Sequence, residues 1–160
     1  MSNPVKPIPE GYHSITPTLV CRNAARAIEY YKTVFEATEL RRMPGPNNTI
    51  MHAELKIGDT IIFINDSMSR TPLPGPERGI SNPMFIHLYV PDSDAVFNRA
   101  VTGGARVDLP IQDMFWGDRY GRITDPFGQQ WGIAQRKEEL AAEEIKRRQD
   151  AFFSKAAGQN

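Results

Sequence analysis

The pattern of apolar and polar residues between positions 121 and 134 predicts two short strands joined by a tight turn. Asp125-Pro-Phe-Gly128 is turn chemistry, and the residues on both sides of it alternate in polarity. Because strand side chains point to alternate faces, Ile123, Trp131 and Ile133 share one face. That face requires a hydrophobic core, and the more polar opposite face is free to line a pocket.

An earlier stretch, residues 51–64, repeats this plan when Gly58 is superposed on Gly128. Self-similarity of this kind is typical of a chain built from two copies of one unit. We therefore expect two modules with the same order of elements.

The first module has the order strand, helix and three strands. Residues 14–20 alternate as a strand in which Pro17 favours an edge position, and Asn23 caps the helix that follows. Residues 39–43 and the two runs that flank Gly58-Asp59 supply the other strands. The helix has an apolar stripe, typical of a helix that covers a sheet, which comprises Ala27, Ile28, Tyr31 and Phe35.

The second module begins at Met84 and follows the same order. Residues 84–90 alternate as a strand, and Asp92 or Ser93 caps a helix that runs to Thr102. Residues 105–109 supply a further strand, which a loop at 110–120 joins to the closing hairpin.

Three segments lie outside the repeat. The N-terminal arm and the segment between the modules are rich in proline, so neither supports regular structure. The C-terminal segment is rich in Ala, Glu, Lys and Arg, which favours a helix packed on its own module or on a second chain. The predicted divisions are an extended arm at 1–11, modules at 12–66 and 84–136, a linker at 67–83 and a C-terminal helix at 137–160.

Composition and charge narrow the range of functions. The chain has 160 residues, of which 40% are apolar, which is enough to bury a core without disulfides or a structural metal. Nineteen basic and nineteen acidic residues cancel, so no overall field attracts nucleic acid or an anionic membrane. No apolar run approaches the roughly 20 residues of a membrane span. With a lone Cys21 and a start unlike a signal peptide, we expect a soluble cytoplasmic protein.

Several motifs resemble the vicinal oxygen chelate superfamily, which includes glyoxalase I, bleomycin-resistance proteins and extradiol dioxygenases. They are the helix segment Asn23-Ala-Ala-Arg-Ala-Ile-Glu-Tyr-Tyr31 and the turn Asp125-Pro-Phe-Gly128, and the resemblance spans residues 12–136. Three further motifs are similar to the branch often labelled demethylubiquinone methyltransferase-like: Tyr12-His-Ser-Ile-Thr-Pro, Ile50-Met-His-Ala-Glu-Leu and Trp116-Gly-Asp-Arg119. Methyl transfer is not implied, because no glycine-rich nucleotide loop opens a helix after a strand.

The resemblance implies an α+β fold in which each βαβββ module curls its sheet into a half-cup, with helices outside and the ligand inside. Half-cups in related proteins are often completed by pairing modules between chains, which implies a homodimer. In metal-using relatives the ligands come from the first and last strands of each module. Carried onto this chain, those positions are Thr16, Ile62, Phe85 and Gly132. None is a usual metal ligand, so we expect no metal cofactor.

Alternation also assigns residues to the inner face of the half-cups. If Met51, Ala53 and Leu55, and likewise Ile86, Leu88 and Val90, pack against helices, their neighbours face the cavity. The inward residues are then Thr16, Thr18, His52, Glu54, Phe85, His87, Tyr89, Arg122, Thr124 and Gln130. Aromatic rings with a few convergent polar groups are the usual composition of a small-molecule site.

Three interpretations of His52, Glu54 and His87 remain open. They form a displaced metal site, since two imidazoles and a carboxylate are a sufficient ligand set. Alternatively, Glu54 or His52 acts as a general base while Arg122 holds the negative charge that develops. In the third, these groups satisfy one another and only shape a pocket.

The segment Trp116-Gly-Asp-Arg-Tyr120 has two interpretations. It forms a lid in which aromatic rings and Arg119 contact the ligand, or Trp116 and Tyr120 pack between modules while Asp118 and Arg119 form a local ion pair. His13 has the wrong parity for the cup, which indicates a structural or subunit contact. Cys21 is interpreted as a small buried hydrophobic residue.

We therefore expect a glyoxalase-like or bleomycin-resistance-like protein that holds a small, partly aromatic or anionic molecule without a metal. The expected binding residues are Thr16, Thr18, Phe85, His87, Tyr89, Trp116, Arg122 and Gln130. One alternative is a lyase, isomerase or dioxygenase-type enzyme. It would use Glu54 and His52 for catalysis, or a divalent metal on His52, Glu54 and His87. Another is an interaction module that works through the C-terminal helix.

Overall fold

Each half of the chain folds as strand, helix and three strands around its own four-stranded sheet. The computed structural model describes residues 6–67 and 84–157, with side chains as far as Lys155. The chain divides into two compact units, Met1–Gly79 and Ile80–Asn160. The predicted α+β class and the two βαβββ modules are confirmed. The linker predicted at 67–83 lies outside the described residues except at its first position, and so do residues 1–5 of the arm.

Within residues 6–67, the first unit contains one α-helix and four strands. In chain order they are β1 (Thr18–Cys21), α1 (Ala24–Phe35), β2 (Thr38–Pro44), β3 (Ile50–Ile57) and β4 (Thr60–Asp66), with a single 3-10 turn at Pro46–Asn48. The sheet order is β1-β4-β3-β2, in which β1 pairs with β4 in parallel and the other pairs are antiparallel. Strand β1 is therefore an edge strand, as Pro17 predicts.

The second unit repeats this arrangement and adds a helix. Its elements are β5 (Phe85–Tyr89), α2 (Ser93–Thr102), β6 (Arg106–Asp113), β7 (Asp118–Thr124), β8 (Gln130–Arg136) and α3 (Ala142–Ala157). The sheet order β5-β8-β7-β6 matches that of the first unit, again with one parallel pair at the start. Both sheets are curved and remain unclosed.

The helices form where capping and apolar spacing predict them. The side chain of Asn23 accepts a hydrogen bond from the backbone N–H of Arg26 at 3.1 Å, and Asp92 does the same for Ala95 at 3.0 Å. The predicted stripe on α1 is buried. In the second unit Ile123, Trp131 and Ile133 are at most 1% exposed, which confirms the core face of the closing hairpin.

Three predicted boundaries are wrong. Strand β1 begins at Thr18 rather than at residue 14, because Pro17 has no N–H to contribute to a ladder. Helix α3 begins at Ala142 rather than at residue 137, since the backbone N–H groups of Lys137 and Glu138 both donate to Gly117 O at 3.0 Å. Strand β6 extends to Asp113, so the loop predicted at 110–120 shrinks to 114–117.

A buried carboxylate, Asp66, ties helix α1 to the sheet. One oxygen accepts from the N–H of Ala24 at 2.8 Å, and the other accepts from the N–H of Ile50 at 2.7 Å. The side chain thus satisfies a free N–H in the first turn of α1 and another at the start of β3. Among the helices in the described ranges, none is long and apolar enough to cross a bilayer.

Replacing Asp66 by alanine should destabilise the protein by about 2–4 kcal/mol, because two buried N–H groups lose the carboxylate that accepts their hydrogen bonds. Urea unfolding followed by circular dichroism measures this loss. Asp150→Ala is the matched control, since Asp150 is exposed on α3 and its side chain forms a surface ion pair with Lys146. Equal stability of the two variants would contradict the role given to Asp66.

Candidate functional site

Strand alternation places Glu54 on the sheet face opposite helix α1. Its neighbours Ala53 and Leu55 are fully buried on the helix-packed face. In the strand register Glu54 lies opposite Phe63 on β4 and opposite Arg41 on β2. Glu54 is itself only 4% exposed, although it is charged. A buried carboxylate on an otherwise open face requires compensating partners.

Three donors compensate Glu54. The Tyr12 hydroxyl donates to Oε2 and an Arg41 N–H donates to Oε1, both at short distance, while His52 Nε2 lies 3.0 Å from Oε1. Arg41 and His52 come from neighbouring strands, whereas Tyr12 comes from the segment before β1, which has no helix or strand. The ring of Phe63 contacts both His52, at a centroid distance of 4.7 Å, and Tyr12, at 6.2 Å.

These partners keep Glu54 ionised. Burial raises the pKa of the Glu54 carboxyl, but hydrogen bonds from Tyr12, His52 and Arg41 and the charge of Arg41 outweigh burial and lower the pKa to about 2. The same hydrogen bond raises the pKa of the Tyr12 hydroxyl. A carboxylate with so low a pKa is a weak base, so Glu54 is better suited to accept hydrogen bonds and to orient His52 than to remove protons.

An open cavity of about 530 Å³ lies beside this cluster, within the first unit. Its volume is within the range of small-molecule sites. The lining combines apolar walls with the polar cluster and comprises Pro9, Tyr12, His13, Thr16, Leu40, Arg41, Glu54 and Phe63. Of the expected binding residues, Thr16 is brought to this cavity. His13 also lines this cavity, although its parity in the sequence predicted a position away from the cup.

In the second unit, contacts with α2 identify the helix-packed face. Arg119 pairs with Asp94 of α2 at 2.5 Å, and Gln135 accepts from the backbone N–H of Ser93 at 3.4 Å. By alternation the opposite face carries the aromatic residues of β5 and the polar residues of β7 and β8. On this face the strand register brings together Phe85, His87, Tyr89, Arg122, Thr124, Gln130 and Gly132.

The aromatic side chains on this face form a connected layer. The His87 ring stacks on Tyr120 at a centroid distance of 5.4 Å and an interplanar angle of 8°, and it also contacts Tyr89 at 4.7 Å. The Tyr89 hydroxyl donates to Asp118 Oδ2 at 3.0 Å, and the Trp116 indole N–H donates to the same oxygen at 3.1 Å. Asp118 therefore holds two aromatic side chains in place.

The alternative in which Asp118 and Arg119 form an ion pair is wrong. Arg119 lies on the helix-packed face, where it pairs with Asp94 and with Asp113 on β6. Asp118 faces the other way, because successive strand residues point to opposite faces. Arg119 is therefore committed to α2, whereas Trp116 and Asp118 remain at the aromatic layer.

Arg122 is the least compensated charged group on this face. Its guanidinium carbon lies 5.9 Å from the centre of the half-exposed Phe85 ring, a cation–π arrangement. Its Nε is buried and has no hydrogen-bond partner among the described residues. A buried N–H without an acceptor costs about 1–3 kcal/mol, so it marks either strain or a place for a ligand acceptor.

The positions inherited from metal-using relatives require one correction. When the two units are aligned on their helix caps, Asn23 and Asp92, Thr18 corresponds to His87. Thr18 pairs with Phe63 and His87 pairs with Gly132, so the position equivalent to Gly132 is Phe63 rather than Ile62. Ile62, expected at the inner face, instead lies opposite Leu55 and is 3% exposed on the helix-packed face. The β3–β4 turn has two residues and the β7–β8 turn has five, so superposing Gly58 on Gly128 shifts β4 by one residue.

The corrected positions do not suit a metal ion. A phenylalanine ring at 63 or 85 has no lone pair to donate, and a Cβ on Gly132 would lie 2.8 Å from the Tyr120 ring, which covers that position. The alternative set fits no better, because both Glu54 oxygens already accept hydrogen bonds and His87 stacks on Tyr120. Within 6–67 and 84–157 no three His, Cys, Asp or Glu side chains are grouped to hold a metal.

The sequence interpretation missed Tyr12, Arg41 and Phe63, which complete the Glu54 cluster. Tyr12 lies in the proline-rich arm, where no periodicity indicates a direction for its side chain. Arg41 and Phe63 are the residues that pair with Glu54 on the two neighbouring strands, so they share its face. A correct prediction of the strand register would have identified both. Thr18 is exposed and Gln130 is half-buried, each on the face expected for it.

Comparison with known proteins gives a consistent result. The model of the Glyoxalase/Bleomycin resistance protein/Dioxygenase superfamily matches residues 12–133. The uncharacterized protein Rv0887c of Mycobacterium tuberculosis is 40% identical over 141 residues, which cover 82% of this chain and 79% of that protein.

Two solved structures show the same fold. Protein PA1353 from Pseudomonas aeruginosa is 25% identical with a TM-score of 0.66, over 78% of this chain and 98% of that one. The fosfomycin resistance protein FosX of Listeria monocytogenes, solved with Mn(II) and sulfate, has a TM-score of 0.59 over 82% of this chain and 95% of its own. At 13% identity the second likeness concerns the fold alone.

The low pKa of Glu54 predicts a loss of stability in acid. The folded-state pKa of about 2 lies below the ordinary value of 4.5, so the stabilisation is complete above pH 4.5 and is lost as pH falls toward 2. Glu54→Gln should lower the free energy of unfolding by about 1–3 kcal/mol at pH 7 and by much less near pH 2. Urea unfolding at a series of pH values measures the difference.

Glu144→Gln is the control for this measurement. Hydrogen bonds from Arg147 and Arg148 also lower the pKa of Glu144 to about 2, but this group lies on the open surface of α3. Solvent screens such exposed pairs, so the control should change little. A pH-independent difference between wild type and Glu54→Gln would rule out the ionised Glu54 cluster.

Proposed function

Because the chain belongs to the glyoxalase/bleomycin resistance protein/dioxygenase superfamily, we propose that it binds a small, partly aromatic or anionic molecule in a half-cup without the superfamily metal site. The proposed binding residues of the second unit are Phe85, His87, Tyr89, Trp116, Arg122 and Gln130. In the first unit, taken by itself, the proposed binding residues are Thr16 and Thr18.

The observation that carries this proposal is the orphaned Nε of Arg122 beside an aromatic surface. An anionic ligand atom at Nε would satisfy the buried donor and compensate the charge in one contact. Phe85 and Tyr89 are 43% and 61% exposed, so their rings are accessible to a flat ligand. Neither contact requires a metal ion.

The site also favours binding over turnover. Glu54, the carboxylate that the sequence suggested as a general base, is ionised with a pKa of about 2, and its oxygens accept hydrogen bonds from three donors. In the second unit Asp118 is likewise engaged, by Tyr89 and Trp116. The hydrogen bonds of these two carboxylates fix the side chains around them, which supports a role in shaping a pocket.

Binding of 2-naphthoate tests the proposal, with neutral 2-naphthamide as the uncharged comparison. We expect wild type to bind the carboxylate about tenfold more tightly than the amide, because a charge-assisted hydrogen bond adds about 1.5 kcal/mol. Arg122→Gln should abolish this preference, and EDTA should leave it unchanged. Calorimetric titration measures the affinities, and chromatography of the recovered compound establishes that it is intact.

Arg147→Gln is the matched control, since this exposed arginine lies on α3 and its ion pair among the described residues is with Glu144. It should keep the preference of wild type. Because the Arg122 Nε has no partner in the described structure, Arg122→Gln should also keep or raise the melting temperature. Equal affinities of wild type for the carboxylate and the amide would refute the proposed anion contact.

One observation favours a second candidate, an enzyme that uses His52 as a base. Ionised Glu54 holds His52 Nε2 at 3.0 Å, which fixes the ring and leaves its other nitrogen as the proton acceptor. The required readout is consumption of an electrophilic or carbon-acid substrate that His52→Ala no longer consumes. Metal analysis of protein purified without chelator then separates a metal-dependent form, which needs one ion per chain, from a metal-free one.

The homodimer and the cytoplasmic location remain predictions. Helix α3 is consistent with a role in dimer contact, because Phe152 and Phe153 are 51% and 56% exposed. Phe115 lies beside them, with its ring centroid 5.5 Å from that of Phe152. These three rings form an apolar surface where α3 contacts the turn between β6 and β7.

A further inference from the structure

We propose that the cavity of the first unit is a binding site for a neutral phenol, and that Tyr12 occupies the position of the phenol when no ligand is bound. This site goes beyond the binding proposed at Arg122 and is argued from Tyr12, Glu54 and Phe63, none of which is among the binding residues proposed there. It assigns a ligand class to Glu54 and its neighbours, which the proposed function leaves without one.

The contacts of Tyr12 are those that a bound phenol would make. Its hydroxyl donates to Glu54 Oε2, and its ring lies 6.2 Å from that of Phe63 at an interplanar angle of 51°. The other two donors to Glu54, from Arg41 and His52, both go to Oε1. Oε2 is therefore the oxygen that accepts from the arm, and a ligand hydroxyl can take the place of the Tyr12 hydroxyl without disturbing the strands.

The chemistry of Glu54 selects a neutral hydroxyl donor. An ionised carboxylate can only accept hydrogen bonds, so it repels a carboxylate or phosphate ligand and favours an O–H group. The hydrogen bond to Glu54 raises the pKa of Tyr12, and a phenol at the same oxygen would likewise stay protonated. The apolar walls, Pro9, Leu40 and Phe63, suit the ring of such a ligand.

The segment that carries Tyr12 is suited to release it. It lies outside the strands and helix of the unit, and the backbone N–H of Tyr12 bonds only locally, to Pro9 O at 3.2 Å. Gly11, next to Tyr12, has a φ of +84°, which glycine adopts without strain, and no atom lies within 4 Å of where its Cβ would be. The backbone at Gly11 can therefore change its dihedral angles without a steric clash at that position.

Titration with 4-methylphenol, the side chain of tyrosine as a free molecule, tests this proposal. We expect weak binding to wild type and at least tenfold tighter binding to Tyr12→Ala, because the internal competitor has been removed. The ether 4-methylanisole, which lacks the hydroxyl donor, should bind Tyr12→Ala at least tenfold more weakly. Adding Glu54→Gln to Tyr12→Ala should weaken 4-methylphenol binding about tenfold, since a neutral acceptor replaces an ionised one.

Ile15→Ala is the control for disturbance of the arm, because Ile15 is 84% exposed and does not line the cavity. It should bind 4-methylphenol as wild type does. The proposal is overturned if Tyr12→Ala gains no affinity, or if 4-methylanisole binds it as tightly as 4-methylphenol.

Amide hydrogen exchange on wild type provides a measurement that needs no variant. Saturating 4-methylphenol should speed exchange of the Tyr12 N–H at least tenfold, because displacement of the side chain releases the turn to Pro9. Unchanged or slower exchange would mean that the ligand binds without displacing Tyr12, and it would refute the competition. Naphthoate binding tests Arg122 alone, so either proposal can fail without the other.

Discussion

The pleat of each sheet is the constraint on which the other features depend. One helix covers one face of each four-stranded sheet, so every second residue of a strand is committed to the core and its neighbours are not. Ala53 and Leu55 are fully buried for this reason, and Glu54 between them faces away from the helix. A slip of one residue would bring the carboxylate to α1 and expose the leucine. The hydrophobic core therefore determines which polar groups reach the open face.

The two units use equivalent positions for opposite charges. Glu54 lies opposite Phe63 in the first sheet, and Arg122 lies opposite Gly132 in the second, at the same place in the register. The first charge is compensated by three donors, whereas the second leaves a buried N–H without an acceptor in the described structure. One repeat thus carries an ionised acceptor that its own donors satisfy, and the other a donor that no described residue satisfies. This difference is the basis of the two ligand classes proposed.

The sequence predicted the elements well because each has a local cause. Asn23 and Asp92 cap helices through their own side chains, and alternation assigned Trp131 and Glu54 to their faces. The contacts of Tyr12 were not predictable, because an irregular segment has no periodicity. The error at Ile62 came from two turns of unequal length, a difference that the glycines alone do not reveal. Local patterns determine faces, but partners from distant segments depend on the whole fold.

Among the described residues each sheet has two edge strands, β1 and β2 in the first unit and β5 and β6 in the second. Such borders invite strands of other molecules to join and polymerise. Proline at positions 44 and 110 removes a donor from each outer strand, and Arg42 adds charge to β2. These features disfavour pairing with a strand of another molecule, so each sheet can stay open at its edges without favouring edge-to-edge aggregation.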